Sequence, residues 1–488
     1  KSTKEDVYQL AYCQYKTGNF AKAIDNFKQL NILDEPLGQT ATYALADCYL
    51  KTNQKDKARS AFQSAASMNY DETIKQNALY NYGKLSFEAG NTSEAIQSFE
   101  DYLEKYSNGT YVDDVNELLA AALVQTKNYD KAYRIMENLK MSSPMIKEAY
   151  QRVTYFRAVE LYNDTKADEA LKLCDKSLSG GTDLVITALA TYLKAEIQYG
   201  KGEYDNARLN YMKFSQLATA DVEKKGEASK FRAQYNTGYC YFKKKNYDDA
   251  AVYFDAATKE AETTIDQKGV KALQSDLYLR LADCNFITRN YTKAIDAYTM
   301  IVDNSWNSAE YAQFQKGIIL GLQNKNAEKI SAMNFLLTKF PASTYADRAM
   351  YEIAETHLDD GNYAAARTAY QSLISKYPQS ELVPSAYMKT AIVDYSQGKK
   401  DLALEDYKAV VKKYPGSKEE KEAIDALKEI YVEVGRANEY FDFLKNNTNI
   451  QVSTYEQDSL TYQSAENVYN SGDCNRAIAL YASYIQQF

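Results

Sequence analysis

The sequence predicts an all-α fold, a solenoid of about thirteen helix–turn–helix units. Three observations predict it. Across 488 residues there are only 19 glycines and 6 prolines and no long Gly/Ser tract, which argues for helices over strands or flexible linkers. A six-residue break, first met as "GNFAKA" (18–23), returns as GNTSEA (90–95), KNYDKA (127–132), GEYDNA (202–207), KNYDDA (245–250), RNYTKA (289–294), GNYAAA (361–366) and GDCNRA (472–477). Weaker copies stand at 53–58, 165–170, 325–330, 398–403 and 435–440, and successive copies end 35 to 44 residues apart, a spacing that marks a stacked repeat.

Each unit divides into two helices at the break. Before it, apolar residues recur at helical spacing, as in Tyr8, Tyr12 and Tyr15 or Tyr235, Tyr239 and Phe242; after it, Ala23 and Phe27 or Ala250 and Phe254 stand four apart. Glycine or asparagine in the break suits a left-handed residue that closes the first helix. The break ends on a small anchor: Ala23, Ala58, Ala95, Ala132, Ala170, Ala207, Ala250, Ala294, Ala366, Ala403 and Ala477. A larger side chain at the closest approach of two helices overpacks them by about 1–3 kcal/mol, so Ile330 and Tyr440 in this slot predict wider crossings. Prolines mark the other junction, where Pro144, Pro341, Pro378 and Pro415 follow a second helix without breaking its hydrogen bonds. In FPAS (340–343), YPQS (377–380) and YPGS (414–417) the serine is placed to cap the next first helix.

The segment YEIAETHLDDGNYAAARTAYQSLISKYPQS (351–380) resembles a tetratricopeptide repeat. It carries the small first-helix residue Ala354, the turn residues Gly361 and Tyr363, the anchor Ala366, the aromatic Tyr370 and the terminal Pro378. The likeness extends over nearly the whole chain. It departs from the family in lacking the first-helix tryptophan, often replaced by tyrosine one residue later, and in a period above the usual 34. The resemblance implies a right-handed superhelix that binds protein partners without catalysis. The aromatic-Pro-x-Ser junction with a tyrosine-rich first helix further resembles multi-repeat cell-envelope members of the family from Bacteroidetes. That resemblance implies a periplasmic or outer-membrane-associated bacterial protein, with a cytoplasmic location as the alternative.

Tyrosine stands fifteen residues before the anchor at Tyr8, Tyr43, Tyr80, Tyr155, Tyr192, Tyr235, Tyr351 and Tyr462. An aromatic eight before it occurs at Tyr15, Phe87, Tyr162, Tyr199, Phe242 and Tyr469, among others. By resemblance these slots face the concave groove and form a candidate partner-binding ladder, since tyrosine offers rigid area and a hydroxyl at little entropic cost. Packing between like units explains the same regularity and is the reading that repetition favours. Four residues after the tyrosine come Tyr12, Asp47, Lys84, Ala121, Val159 and Glu196, a mixed set without the lysine–asparagine clamp by which some family members hold a C-terminal carboxylate.

The chain divides at 1–218 (six units), 219–445 (six more, with longer connections near 219–229 and 259–270), a polar connector at 446–457 and a last unit, 458–488, that reads as truncated. The surplus residues in the long connections read as longer helices or projecting loops. The chain opens on Lys1 and closes without a polar capping helix, so continuation at both ends is expected. A net charge of −8 and a pI of about 5.2 disfavour nucleic acid, and no stretch approaches the roughly 20 apolar residues of a membrane helix.

Chemistry is sparse. The single histidine, His357, supports neither a multi-histidine metal site nor a triad without itself, and no phosphate-binding GxxxxGK[ST] motif occurs. Cys13, Cys48, Cys240 and Cys284 share one slot ten residues before the anchor, expected to be a buried small-residue position, and free thiols favour a reducing compartment. No cofactor or metal is expected. The function these features imply is a scaffold for protein or peptide partners. The alternatives are an oligomerising solenoid and the substrate-recruiting part of a larger protein.

Overall fold

The computed structural model describes residues 2–180 and 182–488, and Lys1 and Gly181 lie outside the described residues. Among these the chain forms 27 helices and no strand. Twenty-six of them make thirteen consecutive pairs, from Lys4–Lys16 with Phe20–Phe27 to Thr454–Asn470 with Cys474–Gln487. The remaining helix, Ala220–Glu223, is a single turn. Connectors of a few residues force the two helices of a pair to lie antiparallel, and within residues 1–272 and within 273–488 neighbouring pairs pack on one another. Compactness separates residues 1–272 from 273–488, a division that falls inside the helix Gln267–Ile287.

Every pair turns on one left-handed residue. Glycine supplies it at Gly18, Gly90, Gly202, Gly361, Gly398, Gly435 and Gly472, with φ between 71° and 89°. Asn53, Lys127, Thr165, Lys245, Arg289 and Asn324 adopt it with φ of 54° to 62°. A Cβ in this region costs about 1–2 kcal/mol, which the surrounding helix pairs must outweigh. In twelve pairs this residue stands five positions before the anchor. In the ninth it is Asn324, six before Ile330, so the equivalent slot there belongs to Lys329. The sequence alignment at 325–330 is therefore corrected by one residue. Lys329 reaches out of the slot to Glu352 (2.6 Å), and Ile330 is only partly buried.

The eleven anchor alanines are all buried. Facing them, a second small slot takes the ring four residues past the anchor. A Cβ on Gly83 would stand 2.7 Å from Phe99 Cε1, and one on Gly238 would stand 2.7 Å from Phe254 Cδ1. A Cβ on Gly317 would meet Met333 Cε at 2.6 Å, and Met333 lies four past Lys329, which supports the corrected register. Tyr440 is buried, its ring 6.4 Å from Tyr431 and 5.9 Å from Phe441.

The junction serines divide. Ser417 caps Lys418–Glu433, its hydroxyl accepting from the Glu420 amide at 3.0 Å. Ser343 and Ser380 do not cap: their helices begin three residues later, at Ala346 and Val383. The Ala346 and Val383 amides donate to the Ser343 and Ser380 carbonyls, closing a turn, and the hydroxyls accept from Tyr345 N (3.1 Å) and Leu382 N (3.2 Å).

Neither long connection projects as a loop. The first folds into the Ala220–Glu223 turn, and Ala218, Val222 and Ala228 are buried with Tyr211 and Phe214. The second is taken up by long helices, Tyr247–Ala261 and Gln267–Ile287. The polar stretch near 446–457 is shorter than its composition suggests. The helix Ala437–Asn447 ends at Thr448, and Ser453 caps Thr454–Asn470 by accepting from the Glu456 amide.

Candidate partner-binding surface

The ladder tyrosines are held first by their own repeats. The ring fifteen before the anchor meets the ring four after it, edge-on or tilted, in pair after pair. Tyr8 lies 5.9 Å from Phe27, Tyr43 5.4 Å from Phe62, Tyr192 5.7 Å from Tyr211 and Tyr235 6.1 Å from Phe254. In residues 273–488, Tyr351 lies 5.7 Å from Tyr370 and Tyr462 6.0 Å from Tyr481. Each such pair adds about 0.5–1.5 kcal/mol beyond its buried area. The ring eight before the anchor folds over the turn onto the break aromatic: Tyr15 on Phe20 (6.0 Å), Tyr199 on Tyr204 (5.4 Å) and Phe242 on Tyr247 (5.5 Å). Tyr80 instead stacks on Tyr111 of the next repeat, centroids 4.1 Å apart and planes within 2°.

Burial varies from rung to rung. Tyr80 and Tyr235 are buried; Tyr8, Tyr15, Tyr43, Phe87, Tyr155, Tyr192, Tyr199, Phe242 and Tyr351 are half-buried. Tyr162, Tyr462 and Tyr469 are exposed, to 37%, 46% and 55%. Most rings in both slots therefore serve packing while keeping part of their surface accessible.

A second element of this face escaped the sequence reading. Eleven residues before the anchor, a carboxylate receives the phenol four residues after it. Tyr211 donates to Glu196 Oε1 and Tyr298 to Asp283 Oδ1, both at 2.7 Å. Tyr370 donates to Glu355 and Tyr481 to Glu466. In the second repeat, Asp47 takes its phenol from Tyr15 of the preceding unit at 2.5 Å. The signal was present as Asp/Glu followed fifteen residues later by Tyr, visible only once the two helices are laid side by side. Burial, with the facing carboxylate, pushes the Tyr211, Tyr298 and Tyr370 phenols well above their ordinary range. Burial with help from Glu355 raises Tyr351 to about 12, and burial with help from Asp114 raises Tyr80 to about 12. Burial also pushes Asp283 up, despite its two phenol donors.

Buried glutamines stitch neighbouring repeats. Gln39 donates to the carbonyls of Ala65 (3.2 Å), Met68 (3.0 Å) and Asp71 (3.3 Å) and accepts from the Asp71 amide (2.7 Å). Gln151 repeats the bond to the next junction, accepting from the Asp183 amide at 3.0 Å. An ionic knot occupies the interior at one place in residues 273–488. Arg367 Nε lies 2.9 and 2.8 Å from the two oxygens of Asp394, which is 0% exposed. Beside it, Asp406 Oδ2 is buried with no hydrogen-bond partner.

His357 sits half-buried on Ala346–Asp359, and among the described residues no His/Cys/Asp/Glu group is arranged to hold a metal ion. Cys48, Cys240 and Cys284 are buried, as is Cys174, and burial pushes all four thiols up to about 12. Cys13, in the same slot, is exposed, because none of the described helices covers that face of the first pair. No helix among the described residues is long and apolar enough to cross a membrane.

Two models described as tetratricopeptide repeat match the chain, one over residues 214–264, 254–309 and 346–418, the other over 77–109. These matches support the tetratricopeptide-repeat family. A model of anaphase-promoting complex, cyclosome, subunit 3 matches residues 1–65, and no curated protein matches. Solved structures similar to the chain include the P58(IPK) TPR domain, at 15% identity, covering 88% of this chain and 98% of that one, TM-score 0.23. The APC/C hetero-tetramer Cut9-Hcn1 is similar at 14% identity over 95% of this chain and 90% of that one, TM-score 0.27. Naa15/Naa10 bound to HypK-THB is similar at 14% over 99% and 75%, TM-score 0.34. Superpositions this loose carry no functional information.

Proposed function

We propose that the chain is a non-catalytic scaffold that captures protein or peptide partners on the first-helix row of tyrosines and carboxylates. The observation that carries this reading is the row itself: rings held by their own repeats, as Tyr192 on Tyr211 and Tyr351 on Tyr370, that stay half-buried rather than closed off, with Tyr162 open to solvent. A rigid half-exposed phenol contributes contact area and a hydrogen bond without being ordered at the moment of binding, which is why tyrosine concentrates at interfaces. Tetratricopeptide-repeat matches along the chain agree with a scaffold role. A bacterial envelope location belongs to this reading, resting on the aromatic-Pro-x-Ser junctions; membrane fractionation of the source cells tests it.

The test of function is crosslinking with mass spectrometry to identify a partner, followed by Tyr162→Ala, Tyr199→Ala, Tyr462→Ala and Tyr469→Ala together. Partner affinity is expected to fall at least about tenfold with helicity unchanged. A folded quadruple variant that binds its partner as the parent does removes the ladder from the function.

A further inference from the structure

We propose that Glu196 and the phenols around it form a site for one cationic side chain, lysine or arginine, presented by the partner. The inference deepens the scaffold reading, on which it rests for the existence of a partner, by giving that partner a chemistry. Glu196 lies on the first helix Leu184–Gly200, half-buried, facing the second helix of its own repeat and the first helix of the next. Its Oε1 accepts both Tyr211 Oη and Asn236 Nδ2, each at 2.7 Å. Among the described residues no lysine or arginine forms an ion pair with it.

The repeat architecture provides its own control. Glu355 occupies the same slot four repeats later and takes the equivalent phenol, Tyr370. There the neighbouring residue is Lys389, whose Nζ lies 3.1 Å from Glu355 Oε2. Lys389 stands in the slot that Asn236 fills beside Glu196. Asp283, again in this slot, has Arg280 at 3.4 Å. Two repeats thus neutralise the carboxylate from within the chain, whereas at Glu196, as at Asp47 and Glu466, no ion pair forms among the described residues, and at Glu196 an amide stands where Lys389 supplies the cation.

Arg232 acts with Glu196 on the Tyr192 phenol but pairs with Glu227 and Asp266, which leaves the carboxylate without an ion pair among phenols. Tyr192 and Tyr199 flank Glu196 one turn before and one turn after on the same helix, and Tyr162 of the preceding repeat lies within its electrostatic reach. The chain places ammonium groups on ladder rings elsewhere: Lys84, in the slot of Glu196, holds its Nζ 5.9 Å from the Tyr80 ring centroid. Ring faces and a carboxylate are together the two halves of ammonium and guanidinium recognition. A partner's carboxylate would be repelled by the same arrangement.

The probes are Nα-acetyl-arginine amide and Nα-acetyl-lysine amide, with the uncharged citrulline amide as control. The readout is the side-chain amide resonance of Asn236 in the intact protein, assigned with Asn236→Asp. Saturable shifts in the low-millimolar range are expected from the cations and not from citrulline. Glu196→Gln keeps an acceptor for Tyr211 and should weaken the cation at least about tenfold; Asn236→Lys should supply the charge internally and abolish binding. Equal shifts with citrulline, undiminished binding in folded Glu196→Gln, or no saturation by 50 mM (roughly the limit of a useful single-residue affinity) would each overturn the proposal. None of these outcomes touches partner capture, which the tyrosine variants measure separately.

Discussion

Replacing Asp406 with asparagine should stabilise residues 273–488 at neutral pH and leave them unchanged in acid. Asp406 stands beside Asp394, whose countercharge, Arg367, is already engaged by both Asp394 oxygens. Burial first, and then the Asp394 charge, push the Asp406 carboxyl from its ordinary 3.8 to about 6, against the smaller pull of Arg367. The other groups acting on it are few: Arg367 from Tyr363–Lys376, Asp394 from Val383–Ser396, and on its own helix Glu405, which pairs with Lys408 at 2.5 Å. From Lys418–Glu433, Glu429 and Tyr431 act on Tyr407 and Lys408 instead. Because the folded value lies above the unfolded one, the contribution to stability is fully present below about pH 4 and is lost as pH rises through about 6. A shift of about 2 units corresponds to about 3 kcal/mol in the limit, and solvent reaching part of the half-buried side chain trims this to about 1–2 kcal/mol. Asp406→Asn mimics the protonated form. Urea unfolding at pH 7.5 should show the variant more stable by about 1–2 kcal/mol, a rise of several degrees in Tm, and the gap should narrow below pH 6, fall to roughly a third by pH 4.5 and close by about pH 3. A gap that is constant across that range, or larger in acid, would refute the reasoning.

Three other outcomes are expected. Gln39→Ala strands the Asp71 amide and a group of junction carbonyls and should cost about 1–3 kcal/mol in urea unfolding, with hydrogen exchange accelerating first at the junction around Met68–Asp71. Gly238→Ala drives a methyl to 2.7 Å from the fully buried Phe254; overpacking outweighs the gain in helix propensity, so a net loss of about 1–2 kcal/mol is expected by thermal melt. Iodoacetamide at pH 8 should alkylate Cys13 and Cys474 in the native protein. Cys48, Cys174, Cys240 and Cys284 should react only after denaturation, as intact-mass spectrometry would count.

The repeat, the two-helix unit and the place of each turn were legible in the chain itself, because these depend on interactions within a few residues. A left-handed turn residue and a small anchor five residues later are steric demands that leave a mark wherever they occur. Where local signals compete, neighbouring positions look alike. The break at 325–330 reads equally well in two registers, and only the left-handed Asn324 and the seating of Met333 against Gly317 select Lys329 over Ile330. Ser343, Ser380 and Ser417 share a motif, yet one caps a helix and two close a turn, since the start of the next helix is set by what it packs against. The bonds that give the candidate surface its chemistry were harder still to read. Glu196 with Tyr211 and Asn236, and Arg367 with Asp394 and Asp406, join residues 12 to 40 positions apart on different helices. Their composition is that of any solvated helix face; only packing decides which carboxylate meets a phenol, which meets a cation, and which is left with neither.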